Sequence, residues 1–148
     1  MNDRYLFKAK RKNWKELPKE EWWVAGALLK SVYNDRAYII HQCKMTETFD
    51  DGMGGFDALG YEVDPSTLCQ CTDWKDKNKK LIFENDVVMY YGHKGVVRFG
   101  YYEWNEAENI GFYIEWEKVE YRQDLGYWLD KISVIGSVFD NPELLEVE

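Results

Sequence analysis

His41, Cys43, Cys69 and Cys71 are the side chains of this sequence best suited to hold a metal. In His41-Gln42-Cys43 and Cys69-Gln70-Cys71 the two ligands of each pair stand two residues apart, so on a strand they share one side. Together they would make a Cys3His set of the kind zinc takes. The spacing argues the other way, because structural zinc is usually gripped by CxxC knuckles. Buried or half-buried cysteine without metal is therefore the default expectation. Asp50-Asp51-Gly52 with Asp57 offers oxygen ligands, but not at the alternating positions, closed by a Glu, that a calcium loop requires. His93 falls in a predicted hairpin turn, where a solvent-facing imidazole is ordinary. No nucleophile elbow, Walker loop or dinucleotide fingerprint is present. Carboxylates are plentiful, yet nothing singles out an acid–base pair. The expectation is a protein that is not an enzyme, with no catalytic residue, no cofactor and no metal.

Aromatic rings are the other chemical resource. Seven Trp, eleven Tyr and seven Phe make 17% of the 148 residues, enough large rings for a short chain to build a core. They also favour pleated surfaces, and so point to sheet. Trp22-Trp23, Tyr90-Tyr91, Tyr101-Tyr102 and nearby Trp104 put rings on both faces of strands. A strand has one core face, so some rings must face outward or into an interface. Trp22, Trp23, Tyr90, Tyr102 and Trp104 are the candidates for an interaction surface with a protein partner or a second copy of the chain.

The net charge is −8, from 19 Lys and Arg against 27 Asp and Glu. It is uneven. Among residues 1–20 seven basic side chains face three acidic ones, a balance of +4 that leaves −12 elsewhere. Segment 101–120 has six Glu against Lys118. General affinity for nucleic acid needs a basic face and is not expected. Lys8, Lys10, Arg11 and Lys12, with Trp14 close by, are a local candidate for holding a single strand. The acidic remainder suggests the inverse, a DNA mimic that occupies a DNA-binding protein. The start Met1-Asn2-Asp3-Arg4 is not followed by a long apolar run, so no signal peptide is expected. Trp22 to Leu29 is too short to span a bilayer. Three cysteines give no secreted disulfide framework, and a reducing cytoplasm, that of a bacterial host cell, is the expected location.

The elements that must position these groups are mainly strands. Tyr5–Ala9, Trp22–Leu29 and Ala37–Gln42 read as a meander, with a helix as the competitor over Trp22–Leu29 and Trp14–Glu21 an irregular connection broken by Pro18. Thr46–Gly60, rich in Asp and Gly, reads as a surface loop. Asp64-Pro65-Ser66-Thr67 is a turn that starts a new unit, followed by a strand over Thr67–Thr72. Leu81–Phe83, Val87–Tyr91, Val96–Tyr102, Ile110–Trp116 and Ile132–Phe139 are further strands. Period two puts Val97, Phe99 and Tyr101 on one face. Asp76, Asn85 and Asp86 define turns, and Asp86 is placed to accept neighbouring backbone N–H groups. Glu120–Leu129 carries no clear pattern. Asn141-Pro142 reads as the start of one helical turn. The fold class is mainly β, as two small lobes: an N-terminal lobe over about 1–63 and an SH3-like small barrel over about 64–148.

The run Asp73-Trp74-Lys75-Asp76-Lys77-Asn78-Lys79-Lys80-Leu81-Ile82-Phe83-Glu84-Asn85-Asp86-Val87-Val88 resembles the TGLKDKNGKEIFEGDIV block of the YopX family. The stretch Val134 to Leu145 is similar to that family's VIGNIFDNPELL ending. Leu6–Lys10 and Val63–Thr67 match its opening strand and the block before the central motif, so the resemblance spans nearly the whole chain. Asp73, Lys79 and Asn85 stand where the family usually has Gly. Asn tolerates the positive φ such turns need. The resemblance implies a single mainly β domain with a barrel-like C-terminal part, encoded by phages or prophages of Gram-positive bacteria. It implies no activity that maps onto named residues. The expected function is an accessory role through protein interaction or self-assembly, with a nucleic-acid-related role as the alternative.

Overall fold

The computed structural model describes residues 6–45, 56–118 and 123–145. Short alternating segments build its first unit, which covers residues 5–70. Its strands are β1 (Phe7–Lys10), β2 (Trp23–Lys30), β3 (Ala37–Met45), β4 (Phe56–Val63) and the start of β5 (Cys69–Lys75). Their order is β4-β3-β2-β1-β5, with every ladder antiparallel. Residues two apart share a face, and that face is apolar. Ala9, Ala37, Ile39 and Val63 are buried, with Phe7, Val24, Leu28 and Leu68 packed on them. Two short 3-10 turns, Trp14–Glu16 and Lys19–Glu21, fill the connection from β1 to β2.

β4 occupies the last part of the stretch expected to be loop. Its ladder with β3 runs from Ala37↔Val63 to Met45↔Phe56, with a register shift beside Gly60. Glycine at a bulge reads as loop in the sequence but continues the strand in the fold. Thr46 to Gly55 lie outside the described residues.

The boundary between units falls at Gln70 and Cys71, inside β5. Asp64–Gln70 belongs with the first unit through its hydrogen bonds. The Asp64 N–H donates to Lys10 O at 2.8 Å, and the Lys10 N–H donates to Thr67 Oγ1 at 2.8 Å. Phe7 and Lys8 then pair with Gln70 and Cys69.

The second unit continues from residue 71. The later part of β5 pairs with β6 (Leu81–Phe83). The sheet that follows has the order β10-β7-β8-β9, again antiparallel. Its strands are β7 (Asp86–Tyr90), β8 (His93–Trp104), β9 (Ala107–Trp116) and β10 (Ser133–Ser137). Val87 and Val88 are adjacent and both fully buried, as a strand with neighbours on either side and cover on both faces requires. The core is Ile82, Val88, Val97, Ile114, Trp116, Leu125 and Ile132. Leu125 comes from α1 (Leu125–Trp128), a single turn inside the stretch whose pattern was unreadable. The expected mainly β fold is what the chain adopts, built as two antiparallel sheets; closure of the second into a barrel does not follow from its strand order.

Two carboxylates fix the turns of this unit. Asp76 is buried, and its Oδ1 accepts the Asn78 and Lys80 N–H groups at 2.8 and 2.9 Å. Its Oδ2 accepts the Val134 N–H at 2.8 Å, tying a turn to β10 across 58 residues. Asp86 Oδ2 accepts the Phe83 N–H at 2.8 Å, as expected of it. At the C-terminal end the Pro142–Leu145 turn is joined to β8 by Lys94, whose Nζ donates to Leu144 O at 2.9 Å. Gly136 sits beneath Asn141: a Cβ there would lie 2.4 Å from Asn141 Oδ1. No helix among the described residues is long and apolar enough to cross a membrane.

Candidate interaction surface

The basic residues near the N-terminus are not four equivalent solvent-facing charges. Lys10 is only 2% exposed. Its Nζ lies 4.1 Å from the Trp14 ring centroid, 4.5 Å from that of Trp22 and 5.6 Å from that of Trp23. The two 3-10 turns deliver Trp14 and Trp22, which meet edge to face at 4.9 Å. Trp22 Nε1–H donates to Leu17 O and holds that ring in place. A desolvated cation over indole faces gains roughly 2 kcal/mol or more, which is how a lysine can sit inside. Lys8 lies over Trp23 at 4.9 Å, and the Arg11 guanidinium over Tyr61 at 4.1 Å. Lys12 and Arg36 share Glu62, at 3.1 and 3.6 Å. Trp22 and Trp23 thus serve an intramolecular cage.

The other candidate rings are half-buried. Tyr90 packs on the core and against Trp128, with ring centroids 5.3 Å apart. Trp104 ends β8 opposite Ala107. Tyr102 meets Tyr113 at 5.0 Å. Burial, and then the Asp124 carboxylate, push the Tyr102 phenol above its ordinary pKa.

Two exposed rings, Phe99 and Tyr101, lie on the opposite face of the same hairpin. Pairs Val97↔Ile114, Phe99↔Phe112, Tyr101↔Ile110 and Glu103↔Glu108 follow one another along one side of β8 and β9. The first pair is fully buried, whereas Phe99, Tyr101 and Ile110 are 49%, 75% and 63% exposed. The core stripe therefore runs on into solvent along a two-stranded arm. Between Tyr101 and Ile110, across the tip, no residue is buried. Gly100 and Gly111 face each other at the base of the arm, both with φ +155°. That conformation is essentially reserved for glycine. Rings from both strands, Tyr102 and Tyr113, meet beside the bare pair. Glu103 and Glu108 oppose one another directly, with Glu106 in the turn, and among the described residues no ion pair neutralises them.

Sequence reasoning put Val97, Phe99 and Tyr101 on one face, but not Ile110. The signal was the glycine pair, whose register becomes visible only once β8 and β9 are aligned.

Among the described residues no three His, Cys, Asp or Glu side chains gather to hold an ion. Cys69 and Cys71 are buried, and the Cys69 thiol donates to Thr67 O at 3.2 Å. His41 stacks on Tyr61 at 5.3 Å. The side chain of Cys43 and Asp50-Asp51-Gly52 lie outside the described residues. His93 is exposed in the β7–β8 hairpin, as expected.

A family model described as YopX protein matches residues 13–146. The chain belongs to the YopX family. No curated protein matches it. Among solved structures, the crystal structure of protein EF1440 from Enterococcus faecalis is similar, with a TM-score of 0.58 and 20% identity. The likeness covers 96% of this chain and 97% of that one, and at that identity it speaks for the fold alone. Asp73, Lys79 and Asn85 of this YopX chain have φ of 67°, 66° and 72°. The glycine-like backbone persists where the glycines do not.

Proposed function

We propose that this YopX chain is a non-enzymatic accessory protein that binds another protein through the apolar face of the β8–β9 arm. The observation that carries this is the continuation of the core stripe into solvent over Phe99, Tyr101 and Ile110. Rings exposed together on one element cost solubility and offer a partner the apolar centre that interfaces are built around. The uncompensated Glu103, Glu106 and Glu108 at the tip favour a partner that rings an apolar patch with Lys or Arg, because opposed like charges are relieved by a cation. Two copies meeting tip to tip would bring six carboxylates together, which counts against self-assembly through this end. The family resemblance supports an accessory role in a phage or prophage, and hence a bacterial cytoplasm as the place of action.

The acidic tip also supports the runner-up, in which the partner is a DNA-binding protein and the carboxylates stand in for phosphates. Single-strand binding by the N-terminal region has less support, since Lys10 is enclosed and Arg11 and Lys12 are engaged.

The test is capture from host lysate by wild type and by Tyr101→Lys/Ile110→Lys, a change at two exposed positions. A band retained by wild type and lost by the variant is expected. A band held equally by both contradicts the reading. Light scattering on the same samples reports the self-association version.

A further inference from the structure

The β7–β8 hairpin turns through two residues, Tyr91 and Gly92, with φ of +45° and +80°. Such turns take Asn, Asp or Gly at the first position, because a left-handed residue with a bulky side chain is strained. Here the position is a tyrosine that is 86% exposed. Folding therefore gains neither backbone comfort nor burial from this residue. Strain combined with an exposed ring points to a task other than stability.

The ring borders a cavity of about 320 Å³ lined by Lys77, Tyr90, Tyr91, Asp130 and Lys131. That is at the small end of ligand sites, roughly 300–1,000 Å³. Tyr90 meets Tyr91 edge to face at 4.7 Å and is itself braced by Trp128. Two lysines, Lys77 and Lys131, are among the lining residues. Lys131 Nζ donates to Tyr127 O at 3.0 Å and to Asp130 Oδ1 at 3.2 Å. An ammonium has three donors, so one remains, beside the Tyr127 ring, whose centroid lies 4.4 Å from Nζ. Lys77 lends its backbone N–H to Ile132 O, and among the described residues its ammonium makes no ion pair. Asp130 supplies an acceptor.

From this arrangement we infer a binding site for a nucleoside monophosphate unit. The planar base lies on the face of Tyr91, the phosphate takes Lys77 and the third donor of Lys131, and Asp130 accepts from a ribose hydroxyl or an exocyclic amine. Base–aromatic stacking tolerates any base, so no base preference follows. The unit is either a free nucleotide or the phosphorylated end of a strand. The site is separate from the β8–β9 arm and stands or falls independently of it.

Adenosine 5′-monophosphate titrated into the full chain, followed by isothermal titration calorimetry, tests the site. Saturable binding is expected, with adenosine and inorganic phosphate each at least tenfold weaker. A 5′-phosphorylated trinucleotide binding tighter than the mononucleotide assigns a strand end; the reverse assigns the free nucleotide. Tyr91→Asn separates ligand from fold. It relieves the turn, so the melting temperature should hold or rise while binding falls at least tenfold. Absence of saturable binding by wild type overturns the inference. So does undiminished binding by Tyr91→Asn, or a fall in its melting temperature, which would make the ring a structural element.

Discussion

Asp73, Lys79 and Asn85 each hold a positive φ without being glycine. The cost differs by side chain. Asn and Asp can bond locally in this conformation, whereas Lys has no short polar group to do so. Lys79 is also exposed, so its stem buries nothing in return. Lys79→Gly is therefore expected to stabilise the chain by about 0.5–1 kcal/mol, read from urea denaturation. The same change at a well-packed position would destabilise. Asp64 gives a pH signature. Ser66 donates to Asp64 Oδ1 from its hydroxyl at 2.7 Å and from its N–H at 3.1 Å. The Ser66 hydroxyl, chief among the causes, holds the Asp64 carboxyl below the ordinary 3.8, and Trp14 and Lys15 add to the effect. Because the folded value is depressed, its stabilisation is present above the unfolded value and is lost as pH falls through the folded one. Asp64→Asn should flatten the loss of stability below about pH 4, as followed by denaturation at several pH values. An unchanged slope would show that Asp64 contributes nothing there.

At the scale of elements, most strands were legible in the sequence, including β2, β8, β9 and β10, which carry glycine, whereas β4 was not. Val87-Val88, Val96-Val97 and Ile114 announce a covered sheet because β-branched residues fit it. β4 was hidden because Gly60 and the Gly- and Asp-rich run before it carry a turn composition. α1 was hidden because four residues are too few to show a helical period. The candidate rings were legible as rings but not as faces. Trp22 and Trp23 were available to Lys10 only once two 3-10 turns had brought Trp14 beside them, a long-range arrangement that no local pattern encodes. The β8–β9 arm depends on its facing glycines. Gly100→Val should cost about 1–3 kcal/mol, since φ +155° is closed to a branched side chain. Chemical shifts confined to Tyr101–Ile110 would show the damage to be local to the arm. A variant as stable as wild type would show that the arm does not need its glycine pair.

At the scale of the whole molecule, two β units of different character share one chain. The first spends its cations and indoles on one another. The second directs an apolar, acid-tipped arm outward. The stretches that resemble the YopX blocks lie mostly in the second unit, where Asp76 and Asp86 hold turns and Gly136 makes room for Asn141. None of the three points at a reaction. On the function proposed above, the part of the molecule that faces a partner is instead the arm, whose face came into view only with strand register.

The central claim is that this arm is the contact surface. Its most direct test places a photoreactive benzoylphenylalanine at position 101 in the cells that make the chain and, separately, at position 33, where Tyr33 is 95% exposed in the first unit. A discrete adduct is predicted from position 101 and not from 33, and it should weaken when Glu103→Lys and Glu108→Lys reverse the tip charge. No adduct from position 101, or the same adduct from position 33, would contradict the account.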